Sequence, residues 1–243
     1  MAGYGTRFLK SGYKIYKPFL EISKHKTMID NICDKFPKDI NKFFIVSNLI
    51  EKRYEKELKK IKNSKIIRIK QHKLGPVETL IRAEPILKKL ENIFISYCDI
   101  TWDWNYSKIK LDKNKIFCFK GWHPFTKNNN NYAFCKIKKN KELIRIKEKS
   151  SFTNNWQNEP LSIGLFFFLN SNQMLVSLKR IKEKKMKINS EYFPSLSFNF
   201  IKDTKIDFVK KFVHIGNPRY FEEYRNWSNF FNNKNNFEKK IKN

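Results

Sequence analysis

The first residues of the chain combine two glycines with a cation. Gly3 and Gly5 stand one residue apart, and Thr6 and Arg7 follow directly. Because glycine has no Cβ, such a turn lets the backbone approach a ligand more closely than other residues allow. The forked guanidinium of Arg7 suits a phosphate group, whose oxygens it can contact in pairs. The pattern indicates a phosphate-binding loop, with a plain tight turn as the alternative.

A second feature is a carboxylate at the end of an apolar segment. Residues 92–99 read Asn-Ile-Phe-Ile-Ser-Tyr-Cys-Asp, which is typical of a buried strand that ends at Asp99. Ligands of open α/β sheets bind at the carboxyl ends of strands. Mg²⁺ prefers oxygen ligands and is commonly held by one or two carboxylates together with substrate phosphates. Asp99 is therefore a candidate magnesium ligand, with a surface Asp at a strand end as the alternative.

The segments around these residues alternate between strand and helix patterns. The predicted strands cover residues 43–46, 66–69, 93–97, 115–119, 132–137, 143–146 and 163–169. The predicted helices cover residues 28–36, 49–60, 77–90, 172–181 and 219–231. The alternation predicts an α/β, Rossmann-like three-layer fold with a mixed, mostly parallel central sheet. We expect one domain over residues 1–234 and a disordered tail over residues 235–243.

The opening loop and the residues after it resemble the sugar-phosphate nucleotidyltransferase family. Lys17-Pro18 follows Arg7 by ten residues, and residues 26–30 read Lys-Thr-Met-Ile-Asp. The family has a Gly-x-Gly-Thr-Arg loop, a Pro-Lys-Pro step and a helix that begins with Met-Ile. The resemblance implies that Arg7 and Lys17 neutralise the phosphates of a nucleotide, although Tyr16 replaces the family's first proline. It assigns nucleotide contacts to four loop residues: Ala2, Gly3, Gly5 and Thr6.

Later segments continue this resemblance in the same order. Gly75-Pro-Val-Glu-Thr79 is similar to the family's Gly-x-x-x-Thr segment, so Gly75 and Thr79 would line the base pocket. Asp99 stands where the family has its main metal ligand, and Asp103 is either a further site acid or a turn residue. The resemblance implies that four later residues hold the sugar phosphate: Glu148, Lys149, Gly164 and Glu191. A solvated, lysine-rich strand end is the alternative for residues 146–149.

Two departures from the family pattern concern the metal site and the sheet. His214 stands where many members have a second metal-binding Asp, and a neutral imidazole is a poor ligand for Mg²⁺. The possible consequences are a site with one carboxylate, a different metal, or reduced activity. The alternative is that His214 is an ordinary histidine at the end of a strand.

Family members also place a buried strand ahead of the glycine loop. We expect the natural chain to start further upstream, with a sheet that lacks this strand as the alternative.

The resemblance implies a Mg²⁺-dependent enzyme that transfers an NMP from an NTP to a sugar phosphate or similar acceptor and releases pyrophosphate. The family often supplies precursors of surface polysaccharides. A catalytically impaired nucleotide- or sugar-binding protein on the same fold is the alternative. The nucleobase, the acceptor and the oligomeric state do not follow from the sequence.

The composition bears on partners and location. The formal net charge of +28 would suggest a polyanion partner, but only eight of the 51 basic residues are arginine. The scattered lysines are typical of an AT-rich genome, so we expect no specific nucleic-acid partner. Four cysteines without metal-binding spacing are predicted to be reduced thiols: Cys33, Cys98, Cys118 and Cys135. Without a membrane-spanning run or a signal-peptide pattern, the predicted location is cytoplasmic.

Overall fold

The structure, a computed structural model, describes Gly3, residues 5–121 and residues 132–241, with side chains up to residue 231. The strands are β1 (Glu21–Ser23), β2 (Lys26–Thr27), β3 (Lys42–Ser47), β4 (Ser64–Ile69), β5 (Ile93–Ser96), β6 (Ile100–Asp103), β7 (Asn114–Phe119), β8 (Ala133–Ile137), β9 (Leu143–Glu148), β10 (Leu161–Phe168), β11 (Thr204–Phe208) and β12 (Lys211–His214). The α-helices are α1 (Thr6–Lys10), α2 (Met28–Cys33), α3 (Lys52–Lys60), α4 (Pro76–Arg82), α5 (Glu84–Leu87), α6 (Ser171–Glu183) and α7 (Pro218–Ile241). None of the helices in the described residues is both long and apolar enough to cross a membrane.

A six-stranded sheet forms the centre of the molecule. Its order is β11-β7-β10-β8-β9, and β5 pairs with the second half of β10. β10 is antiparallel to β5, β7 and β8, while β11 is parallel to β7. These pairings make β5, β7, β8 and β11 run in one direction and β9 and β10 in the other. The predicted mixed sheet is confirmed, but its neighbouring strands are mostly antiparallel and not mostly parallel as predicted, because β10 lies between strands of opposite direction.

β10 shows why the fold has three layers. All eight of its residues are buried. Phe166 and Phe168 belong to the apolar core that also contains residues of α4 and α6. Leu165 and Phe167 point to the other face and join a core that includes Ile32 of α2. Because successive side chains of a strand alternate between its faces, a strand covered by helices on both sides is apolar throughout. Each of these large side chains contributes about 1.5–3 kcal/mol through burial.

The sheet is interrupted between β3 and β5. β3 pairs in parallel with β4 over six residues, and β5 pairs with β10. The ring of Phe36, in the segment between α2 and β3, lies 5.3 Å from the ring of Phe94 in β5. In the part of the chain that the structure describes, β3 and β5 do not pair with each other or with a strand between them.

Several element boundaries differ from the predicted ones. The helix predicted over residues 77–90 is divided into α4 and α5, because Pro85 lacks the N–H that would continue the helix and its ring would clash with the preceding turn. α2 ends at Cys33, before the predicted end at residue 36. α7 continues to Ile241, beyond the predicted end at residue 231. The strands β1, β2, β6, β11 and β12 and the helix α1 were not predicted.

Candidate active site

One cavity of about 1470 Å³ brings the predicted site residues together. Its lining includes every predicted site residue that the structure describes: Gly3, Gly5, Thr6, Arg7, Lys17, Gly75, Thr79, Asp99, Glu148, Lys149, Gly164, Glu191 and His214. Ala2 lies outside the described residues. The opening loop and the carboxylate at the end of β5 therefore face the same space, although about ninety residues separate them in the chain. Both cations and carboxylates line the cavity, and the cations suit the phosphate groups of a ligand.

The opening loop is held in place by aromatic packing behind it. Gly5 has a φ of 61°, a left-handed conformation that glycine adopts without the Cβ penalty, and α1 starts directly after it. Phe8 of α1 is buried, with its ring 5.3 Å from that of Tyr13 and 5.8 Å from that of Phe221 in α7. Arg7 is exposed and makes no ion pair with the described residues. The loop is thus anchored on its inner side, while its guanidinium is available to a ligand.

Lys17 and Asp99 form an ion pair in the cavity. The Lys17 Nζ lies 2.6 Å from Oδ2 of Asp99 and 3.4 Å from the carbonyl oxygen of Gly216. Burial alone would raise the pKa of Asp99. The charge of Lys17, the nearby His214 and the hydrogen bonds to the carboxylate outweigh this effect and lower that pKa to about 2. Burial lowers the pKa of Lys17, yet Asp99 raises it more, so the net shift is upward. Both groups are therefore charged near neutral pH.

Two strands that were not predicted place His214 beside this pair. β12 is antiparallel to β6, and His214 is opposite Ile100, the residue after Asp99. Its Nε2 lies 4.0 Å from Oδ2 of Asp99. Burial lowers the pKa of His214, an effect that Asp99 opposes only in part, so the ring is neutral near pH 7. Its Nδ1 is buried without a hydrogen-bond partner among the described residues.

Gly216 is a site residue that the sequence analysis did not assign. A Cβ at this position would lie 2.1 Å from Nε2 of His214 and 2.7 Å from Oδ2 of Asp99. The backbone N–H of Ile215 donates to the carbonyl oxygen of Asp99 at 2.8 Å, which holds the two segments together. Only glycine allows this approach. The close contact is visible from the fold and not from the local sequence.

His72 orders the predicted base-pocket segment. The backbone N–H of Leu74 donates to Nδ1 of His72 at 3.2 Å, and Nε2 of His72 lies 3.1 Å from the Thr79 hydroxyl. Burial, followed by the nearby Arg82, lowers the pKa of His72, so the ring is neutral. Because Nδ1 accepts, Nε2 carries the proton and donates to Thr79. The Thr79 hydroxyl then retains its own hydrogen for a ligand.

Position 75 requires glycine, because a side chain there would collide with neighbouring residues. Its φ is 86°, and a Cβ there would lie 2.8 Å from Cβ of Glu191 and 2.9 Å from the backbone nitrogen and oxygen of Tyr192. Tyr192 also exchanges backbone hydrogen bonds with the segment, from its own N–H to Leu74 and from the N–H of Val77 to its carbonyl. Gly75 thus brings Glu191 to the rim of the predicted base pocket. The two predicted subsites are adjacent.

Glu148 and Lys149 occupy the end of β9. Burial raises the pKa of Glu148 to about 7, although the hydrogen bond from Ser195 and the charge of Lys149 oppose the increase. The Nζ of Lys149 lies 4.6 Å from the centre of the Phe193 ring, a distance typical of a cation–π contact. Ser195 and Phe193 were not predicted, because nothing in their local sequence distinguishes them.

Gly164 lies at a bulge in β10. Its φ is 84°, and the pairing of β10 with β7 shifts register between Ser162 and Leu165. A Cβ at Gly164 would lie 2.4 Å from the ring of Tyr97. Burial, together with nearby carboxylates, raises the pKa of Tyr97 well above its usual value, so its hydroxyl stays protonated. Tyr97 lines the cavity two residues before Asp99, and Gly164 provides the space for its ring.

One residue of the resemblance, Asp103, lies away from the centre of the site. Asp103 is exposed at the end of β6, outside the cavity lining, 3.4 Å from Nζ of Lys211 and 3.9 Å from Nζ of Lys35. It is therefore not a further acid of the site. Asn199 holds β9 through two hydrogen bonds of 3.0 Å to the backbone of Ile146.

The side chains around Asp99 limit the kind of metal site that the cavity can form. No group of three or more His, Cys, Asp or Glu residues that could hold a metal ion is found among the described residues, and the four cysteines are free thiols. Asp99 is a single carboxylate beside the neutral ring of His214. This set fits a magnesium ion that takes most of its ligands from phosphate oxygens and water. It does not fit a metal site built from protein ligands alone.

No family model and no curated protein matches the sequence. Solved structures match the fold over almost the whole chain. A nucleoside-diphosphate-sugar pyrophosphorylase from Vibrio cholerae RC9 is 18% identical, with a TM-score of 0.77 over 93% of this chain and 98% of its own. A UDP-glucose pyrophosphorylase in its apo form is 15% identical, with a TM-score of 0.70 over 96% of each chain. An inositol-1-phosphate CTP transferase from T. maritima is 14% identical, with a TM-score of 0.65 over 91% of each chain. The chain therefore has the fold of these nucleotidyltransferases, which confirms the fold that the resemblance implied.

Proposed function

We propose that the chain is a nucleotidyltransferase that transfers an NMP from an NTP to a sugar phosphate, or a similar phosphorylated acceptor, and releases pyrophosphate. The observation that carries this proposal is the convergence of Arg7, Lys17 and Asp99 on the cavity that Glu148 and Lys149 also line. The shared fold with enzymes that handle nucleotide sugars supports it.

The reaction consists of one substitution at phosphorus. A phosphate oxygen of the acceptor attacks the α-phosphorus of the NTP, a new P–O bond forms, and the bond to the pyrophosphate leaving group breaks. Both reactants are anions, so the protein must hold them together against their repulsion. Arg7, Lys17 and Lys149 supply positive charge around the cavity, and no side chain has to act as a nucleophile.

Asp99 is the residue that would hold Mg²⁺, together with the phosphates of the substrate. When bound, the ion would neutralise charge on the phosphate oxygens of the NTP. Lys17 contacts Asp99 in the present structure. With the ion bound to Asp99, the Lys17 ammonium would contact phosphate oxygens of the substrate instead. A role in making surface polysaccharide precursors completes the proposal and rests on the resemblance, while the cytoplasmic location stays a prediction made from the sequence pattern.

A binding protein with impaired catalysis is the second candidate. Two observations favour it: the neighbour of Asp99 at position 214 is a histidine and not a second carboxylate, and Asp99 is paired with Lys17. His214 occupies the position where the resemblance places a second acidic ligand. Such a protein would bind the same ligands and release little or no pyrophosphate.

Pyrophosphate release from a panel of NTPs and sugar 1-phosphates with Mg²⁺ tests the proposal, with thermal shift measured on the same panel. A ligand that binds only the native state raises its melting temperature. Turnover that Asp99→Asn abolishes and Asp103→Asn preserves supports the enzyme. Asp103 is the matched control because it lies outside the cavity. A thermal shift without turnover supports the binding protein, and the absence of both effects contradicts both candidates.

A further inference from the structure

A small apolar core lies directly behind the opening loop. It is separate from the two large cores of the molecule and is formed by buried side chains of residues 8–28 and 215–221. We call it the loop core, and its members are Phe8, Leu20, Ile22, Met28, Ile215 and Phe221. Because a close-packed interior transmits displacements, the position of each of these segments depends on the others.

The loop core is connected to three residues of the candidate active site. Phe8 follows Arg7 directly, and the centre of its ring lies 5.3 Å from Nζ of Lys17, a distance typical of a cation–π contact. The backbone N–H of Ile215 donates to the carbonyl oxygen of Asp99. A displacement of the loop core would therefore change the positions of Arg7, Lys17 and the segment that holds Asp99.

The short helix α1, which contains Arg7, has little stability of its own. It has five residues, and no side chain caps its N-terminus at Gly5. Isolated helices shorter than about 12–15 residues are marginal in water, because their nucleation is costly. Gly5 and Gly12, which lie on either side of α1, both have a positive φ. The conformation of the opening loop therefore depends on contacts with other segments of the chain.

Helix α7 supplies such contacts. Its Phe221 packs edge-on against Phe8 and Tyr13, with ring centres 5.8 Å and 5.7 Å apart. The backbone N–H of Tyr13 donates to the carbonyl oxygen of Phe8 at 3.1 Å, which joins Tyr13 to α1. The Tyr13 hydroxyl donates to Oε1 of Glu222, 209 residues away in the sequence, and we call this hydrogen bond the clamp. Arg225 donates to the other carboxylate oxygen of Glu222 at 2.6 Å and holds that side chain in place.

We propose that Tyr13 and Glu222 are positioning residues, which hold the opening loop in the conformation that presents Arg7 to the phosphates of an NTP. Neither residue lines the cavity, and none of the described side chains of α7 does. Their effect therefore passes through Phe8 and the backbone of α1 to Arg7. The inference rests on the proposed function for the role of Arg7, and it adds that nucleotide binding depends on a helix outside the cavity.

Nucleotide affinity and amide hydrogen exchange of the full chain test the proposal. The probe is whichever of ATP, GTP, CTP, UTP and dTTP binds the wild type most tightly with Mg²⁺, measured by titration calorimetry. Tyr13→Phe removes the hydroxyl and keeps the ring, and Glu222→Ala removes the acceptor. Each should weaken nucleotide binding about tenfold, as expected for the loss of one hydrogen bond. Each should also speed amide exchange in residues 5–13 and leave exchange in β7 and β10 unchanged.

Two control variants separate the clamp from general effects on α7. Glu222→Gln keeps a side-chain oxygen that accepts from Tyr13, so its nucleotide affinity should stay within about twofold of the wild type. Glu223→Ala changes the next residue of the same helix, whose carboxylate lies 3.5 Å from Nε of Arg219, and it should have no effect.

A double-mutant cycle with Arg7→Ala distinguishes positioning from structural support alone. If the clamp acts through Arg7, Tyr13→Phe should cause little further loss of affinity in the Arg7→Ala background. Fully additive losses overturn the proposal, and so does unchanged exchange in residues 5–13. A wild type that binds none of these nucleotides contradicts the proposed function and overturns this inference with it. Nucleotide binding by the wild type that Tyr13→Phe leaves intact overturns this inference alone.

Discussion

The ammonium of Lys17 lies 2.6 Å from the carboxylate of Asp99, with only 20% and 19% of the two side chains exposed. The pair joins the segment after the opening loop to the end of β5, and each partner stabilises the charge of the other. Removing one partner would leave an uncompensated charge in a largely buried place. The pair therefore keeps Asp99 ionised before a ligand arrives, and its energy should be visible in the stability of the protein.

We expect Asp99 to make stability depend on pH below about 4. Its pKa is about 2 in the folded protein, below the ordinary value of 3.8. A lowered pKa gives stability that is fully present above the ordinary value and is lost as the pH falls through the folded value. The shift corresponds to about 2 kcal/mol. Urea unfolding between pH 5 and 2.5 should show a smaller loss for Asp99→Asn than for the wild type. The exposed control Asp103→Asn should behave like the wild type, and equal losses in all three proteins would refute the prediction.

Glu148 should make the stability of the protein depend on pH in the opposite direction, with a loss as the pH rises. Its folded pKa is raised to about 7 from 4.5, mainly by burial. Its contribution to stability is therefore fully present below 4.5 and is lost as the pH rises through 7. Between pH 5 and 8 the wild type should lose on the order of 3 kcal/mol more than Glu148→Gln, measured by urea unfolding. Glu57→Gln, on the exposed side of α3, is the control. If Glu148→Gln and the wild type lose the same amount, Glu148 is ionised throughout this range.

The sequence predicted the parts of the site that local patterns encode. A glycine-rich loop and an apolar strand that ends at Asp99 are both continuous segments, so their residue types identify them without knowledge of the fold. His72 and Gly216 could not be assigned in this way. Their roles depend on contacts with other segments, and the approach of Gly216 to Asp99 arises from the pairing of β12 with β6. The interruption between β3 and β5 likewise depends on which strands pair.

Changing His214 to Asp should alter the choice of metal. A neutral imidazole suits transition metals better than Mg²⁺, whereas a carboxylate suits both. In the wild type, we expect Mn²⁺ to support nucleotide binding better than Mg²⁺. In His214→Asp, Mg²⁺ binding should improve at least several-fold, and the difference between the two metals should decrease. Titration calorimetry of each metal with a fixed NTP measures this without turnover. His72→Asn is a control that changes a cavity histidine away from Asp99. An unchanged metal preference in His214→Asp would mean that position 214 does not contact the ion.

Replacing Gly164 by Ala should cost more than backbone strain alone. Gly164 and Gly12 both have a φ of 84°, but a Cβ at Gly12 meets nothing within 4 Å, whereas a Cβ at Gly164 would lie 2.4 Å from the ring of Tyr97. Gly12→Ala therefore measures the strain of a left-handed backbone, about 1–2 kcal/mol. Gly164→Ala adds displacement of Tyr97, two residues before Asp99. We expect its loss of stability to exceed that of Gly12→Ala by at least about 1 kcal/mol, as overpacking of a core typically does. NTP binding should weaken in Gly164→Ala only. Equal unfolding energies and equal NTP affinities in the two variants would show that the ring of Tyr97 moves aside freely and does not help to position Asp99.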